Sequence, residues 1–93
     1  MTDQRDLIRE LEQPFSTYAG NAAKVREVLV AGLTWEMPYW PELAVRWIEE
    51  GAPIDEEISK LLDSISEVKH FPQSLRHRAF AIARRFSRKR QNA

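Results

Sequence analysis

Between positions 54 and 68, Ile54, Ile58, Leu61, Leu62, Ile65 and Val68 recur at i, i+4, i+7 and i+8 through four turns. That period gathers all of them on one stripe of an α-helix, whereas a strand would scatter them over both faces. An apolar stripe is stable only when another apolar surface covers it, so the rest of the chain must supply that surface. The alternation and paired turn residues that mark hairpins appear nowhere in the sequence. The fold class expected is all-α.

Prolines and capping residues divide the remainder. A first helix is expected over about residues 3–13, with Asp3 accepting from first-turn amides, Asp6 at the positive end of the dipole, and Leu7, Ile8 and Leu11 forming the stripe. Pro14 stops it, and FSTYAG (15–20) is turn chemistry. Asn21 caps a second helix over about 22–33, whose face carries Val25, Val28, Leu29 and Leu33. The third, PELAVRWIEE (41–50), takes Pro41 as its first helical residue and Glu42 at its positive end, and Gly51 closes it. Leu43, Ala44, Trp47 and Ile48 share its inner face, with Trp47 and Ile48 expected in the core, while Glu42 and Arg46 pair four residues apart. The 54–68 helix begins near Pro53 and ends at about Val68. Pro72 opens a fifth, in which Leu75, Ala79, Ile82, Ala83 and Phe86 face inward. Connections of a few residues favour antiparallel neighbours. The architecture expected is a compact bundle of about five short antiparallel helices, one domain over 1–93 with a basic frayed tail at about 87–93.

Composition sets the chemical limits. With 93 residues, 43% apolar and 30% charged, the chain is of single-domain size and globular composition. There is no cysteine, which excludes disulfides, thiolate metal sites and cysteine nucleophiles, and fits a reducing cytoplasm. MTDQRDLIRELEQ lacks the basic and apolar regions of a secretory signal, and no apolar run reaches the roughly 20 residues of a membrane span. A cytoplasmic location away from membranes is expected.

Two segments share a pattern. KVREVLVAGL (24–33) and SLRHRAFAIA (74–83) each set an apolar residue, then Arg, then an apolar stripe four residues later, and each is the second helix of a helix–turn–helix pair. In this the chain resembles the HEAT-like repeat families, whose stacked helical hairpins carry such an arginine at the start of the second helix. The resemblance covers residues 21–87 and implies stacked hairpins with Arg26 and Arg76 in matching positions. The aspartate of the preceding turn is absent before Arg76, where the turn reads KHFPQS, and two units fall short of the roughly three a solenoid needs. No binding residues follow from it.

Two features are candidates for function. TWEMPYWPEL (34–43) crowds Trp35, Met37, Tyr39 and Trp40 between two prolines. Pro38 and Pro41 are expected to hold Met37 and Trp40 extended, which gives a stiff corner with side chains pointing alternately to opposite sides. The rings either cap the core or remain partly exposed as anchors for a partner, since Trp and Tyr are enriched at binding hot spots. Of the pair, Trp40 is expected to be the more buried because it abuts the third helix. The second feature is charge. Residues 1–67 hold 6 basic and 14 acidic groups, 6 − 14 = −8, and residues 68–93 hold 8 basic and none acidic, +8. His77, Arg78, Arg84, Arg85, Arg88 and Lys89 project opposite the apolar stripe of the last helix. That face is either solvated or a contact for an acidic protein surface, another copy of this chain included. Phosphate contacts through Arg76, Arg78, Arg84, Arg85 and Arg88 are the alternative, against which the acidic body would repel a duplex.

Other chemistry finds little purchase. Glu67 and His70 stand at Glu-x-x-His spacing with Asp63 one turn earlier, but the carboxylate-bridged bundles that use this spacing need it twice. His70 fits better as a helix-terminal cation or donor. No Gly-x-Ser-x-Gly elbow is present, and Gly20, Gly32 and Gly51 are too scattered to cradle a phosphate. The expectation is a small non-enzymatic protein-interaction or regulatory module without cofactor or metal. Its contacts are the aromatic corner and the basic helix, and weak homodimerisation is expected. A nucleic-acid-associated accessory protein is the alternative, and a small-molecule binder walled by the Trp35–Trp40 corner is a more distant one.

Overall fold

The computed structural model describes residues 4–91, with side chains from Asp6 to Lys89. It is all-helical, with no strand among those residues. In chain order the α-helices are α1 (Gln4–Arg9), α2 (Ala22–Leu33), α3 (Tyr39–Glu49), α4 (Glu56–Ser66) and α5 (Gln73–Gln91). The expected cap Asp3 lies outside the described residues.

Local chemistry sets most boundaries. α1 tightens into a 3-10 turn at Glu10–Glu12, and Gln13 swings to extended geometry ahead of Pro14. A second 3-10 turn covers Phe15–Thr17. Asn21 caps α2 as expected, its side chain accepting from the Lys24 amide at 2.9 Å. Asp55 does the same for α4, accepting from the Ile58 amide at 2.9 Å. This places the start of α4 at Glu56, after Pro53 and Ile54. Its end, expected at Val68, falls at Ser66, where Glu67, Val68 and Phe71 each bond back three residues.

The start of α3 departs from expectation. The helix begins at Tyr39, two residues before Pro41, with its first bond from the Glu42 amide to the Pro38 carbonyl at 3.0 Å. Pro41 fits at the third helical position because the amides of a first turn have no intrahelical partner to lose. Trp40 is therefore helical, not extended, and the expected alternation of side chains across the corner does not exist. Gly51 closes the helix at φ +119°, a conformation that only glycine adopts readily. The residues expected as a frayed tail are helical as far as Gln91.

The short dimension of the molecule, 22 Å, is about two helix diameters. Its core lies between the elements, with α2 against α1, α3 and α4, and α5 against α4 and α3. Trp47, Leu29, Ile58, Leu62 and Leu75 are fully buried. Ile48, expected beside Trp47, is only half-buried at the edge of the core. Gly32 lets α3 and the 3-10 turn after α1 approach α2, since a Cβ there would stand 2.5 Å from Leu11 Cδ1 and 3.3 Å from Ala44 Cβ. The N-terminal segment straps across α3: Phe15 and Tyr18 stack on Trp47 at 5.5 and 4.9 Å, and the indole N–H donates to the Gln13 carbonyl at 2.9 Å.

Candidate functional site

The aromatic corner divides. Trp40 packs against the core and meets Tyr39 edge to face at 4.7 Å. Trp35 is half-buried at the end of α2, where its amide donates to the Gly32 carbonyl. Met37 and Tyr39 are exposed, at 63% and 51%. The Tyr39 hydroxyl donates to Glu12 at 2.9 Å, and that carboxylate holds the phenol above its usual pKa. The corner is thus partly wall and partly surface: its tryptophans lean inward and Met37 and Tyr39 lie outside.

The basic residues divide as well. Arg78 is the one most engaged with the body, donating to Glu49 at 2.6 Å with Glu42 at 3.8 Å, which raises its pKa further. This is a correction to the reading of Arg78 as part of a solvated face. It also removes the expected Glu42–Arg46 pair, for Arg46 lies 4.0 Å from Glu50 instead. Arg76 is half-buried, its Nε donating to the Phe71 carbonyl at 3.2 Å. Arg26, its counterpart in the resemblance, instead bridges Asp55 at 2.6 Å and Glu57 at 2.5 Å. The two arginines therefore have different partners. Among the described residues Arg84, Arg85, Arg88 and Lys89 form no ion pair, and all four are exposed.

Two of these cations, Arg84 and Arg88, border an open groove of about 540 Å³ between α4 and the Phe80–Arg88 stretch of α5. Its lining joins Glu56, the first residue of α4, to Arg88 near the end of α5, so the two helices run antiparallel. Buried Ser59 and Ala83 make the floor, and Phe86, half-buried, closes one side. Phe80 stands on the rim, 48% exposed, with the Arg84 guanidinium 5.6 Å from its ring centroid. Across the groove α4 presents Lys60 and Asp63. The sequence signalled the arginines but missed Phe80, because it flanks the apolar stripe and no period singles it out. A smaller cleft of about 200 Å³ lies between Tyr39, Leu43 and Arg78.

Among the described residues, five groups have a shifted pKa. Where pKa values move, they move away from neutrality: Tyr18 up by burial, Tyr39 up beside Glu12, Arg26 and Arg78 up beside their carboxylates, and Asp55 down by the Ile58 amide and Arg26. A catalytic acid or base is usually tuned toward the working pH. Among the described residues no three His, Asp or Glu side chains converge as a metal site; Glu67 caps α4, and His70 packs edge-on against Phe71 at 4.9 Å. No described helix is long and apolar enough to cross a membrane. No protein family, no curated protein and no solved structure matches the chain.

Proposed function

We propose that the chain is a small non-enzymatic protein-interaction module whose main contact is the α4–α5 groove. The observation that carries this is a large exposed ring, Phe80, on the rim of an open groove beside exposed arginines with no ion pair. Aromatic and arginine side chains together form the usual energetic centre of protein interfaces. The exposed Met37 and Tyr39, at the start of α3, form a second, smaller contact. The cytoplasm is the expected setting.

Capture of partners from the native cell, at low and at high salt, tests the proposal. Protein should be retained by the wild type and lost with Phe80→Asp, a substitution that leaves the core untouched. Capture abolished by nuclease and by Arg85→Glu with Lys89→Glu, yet unaffected by Phe80→Asp, would instead support the nucleic-acid reading. Loss of capture with Met37→Asp alone would move the contact to the aromatic corner.

A further inference from the structure

We infer that the partner seated in the α4–α5 groove is an acidic helical segment, with a large apolar side chain for the floor and two carboxylates four residues apart for Arg84 and Arg88. The inference rests on the groove being a contact surface and adds the chemistry of what fills it. Its first basis is charge. Residues 68–93 hold no acidic group. On the α5 wall Arg84 and Arg88 are exposed and form no ion pair among the described residues. On the α4 wall Lys60 and Asp63 offset each other, and Glu56 already has a partner. The groove is therefore positive along α5 and near neutral along α4. Arg85 and Lys89, exposed one position further round α5, add to the same field.

The second basis is shape. Phe80, Arg84 and Arg88 stand four residues apart, so they form one row along α5, each about 6 Å from the next along the axis. The Arg84 guanidinium lies 5.6 Å from the Phe80 centroid, which continues the row as one surface. A partner helix repeats its own side chains at the same interval, so two of its carboxylates meet both guanidiniums together. The floor residues Ser59 and Ala83 are small as well as buried, and they leave depth for a leucine or phenylalanine between Phe80 and Phe86. A helix laid in a groove through spaced anchors is an established mode of peptide recognition. A nucleic-acid strand fits less well, because every unit of its backbone is anionic and some phosphates would lie against Asp63 and Glu56. A peptide sets each side chain separately and places a neutral or basic one there.

Panning the immobilised full chain with phage-displayed random peptides of about 12 residues, roughly three helical turns, tests the inference. Enriched peptides should carry Asp or Glu four residues apart together with a large apolar residue. An enriched peptide, made synthetically and titrated by fluorescence anisotropy, should bind Arg84→Glu with Arg88→Glu roughly ten-fold or more weakly than wild type. The same peptide with its acidic residues changed to lysine should prefer that variant to wild type, which also shows that the variant is folded. Enrichment of neutral or basic peptides, or of none, overturns the inference. So does binding that is indifferent to Arg84 and Arg88, or a DNA oligonucleotide that binds through them while no acidic peptide is enriched. A natural partner lost with Phe80→Asp but kept with Arg84→Glu and Arg88→Glu would leave the groove reading standing and remove the acidic occupant.

Discussion

Trp47 shows what one residue can organise in a chain of this size. Trp47 is 1% exposed, its ring meets Phe15 and Tyr18, and it sends its only side-chain donor to the Gln13 carbonyl. Truncation to alanine leaves a cavity and an unpaired carbonyl, so Trp47→Ala should cost about 3–5 kcal/mol in a denaturant melt. A loss below about 1 kcal/mol would mean that the strap and α3 separate without consequence. The burial of Trp47 was legible from its place on the α3 stripe. Its aromatic partners were not, because they lie in a segment whose only sequence signal was turn chemistry. Trp40 illustrates the opposite failure. The bias of a pre-proline residue toward extended geometry is a preference, and here the burial of Trp40 and Pro41 overrides it.

At the scale of the element, α4 is held by one side chain used twice. Asp55 accepts from the Ile58 amide at the start of the helix, and it also binds Arg26 of α2 at 2.6 Å. The backbone bond first and the guanidinium second keep its pKa below the usual aspartate value. A carboxylate with a depressed folded pKa stabilises the fold fully above its unfolded pKa. It loses that contribution as pH falls through the folded value. Asp55→Ala should therefore lower stability by about 1 kcal/mol at neutral pH. The gap from wild type should close as pH drops below about 4. A gap unchanged down to pH 2 would show that the carboxylate charge is irrelevant to the helix. Capping residues were the most legible signals, as Asn21 shows. Asp55 was less legible, because Pro53, two residues earlier, offers a competing start.

Over the whole molecule, the split between an acidic body and a basic last helix was legible, but its resolution was not. Arg78 reaches Glu49 across 29 residues of sequence, and only the packing of α5 on α3 decides that it does so. Such an exposed bridge adds little stability, yet it separates the paired Arg78 from the cations of α5 that form no ion pair among the described residues. Hydrogen exchange should show a matching hierarchy. Amides of α2 and α4, behind fully buried residues, should exchange only through global unfolding, and those of residues 11–18 through local opening. Equal protection in both regions would show that the strap is an inseparable part of the core. The strap also has a consequence in time. Its indole bond closes on a residue 34 positions later, so nothing synthesised before α3 emerges can hold residues 13–18 in place. α4 and α5 close over a link of only six residues (67–72). Local contacts form first, so α4 and α5 are able to assemble early on their own, while the segment ahead of α2 must wait for its anchor in α3.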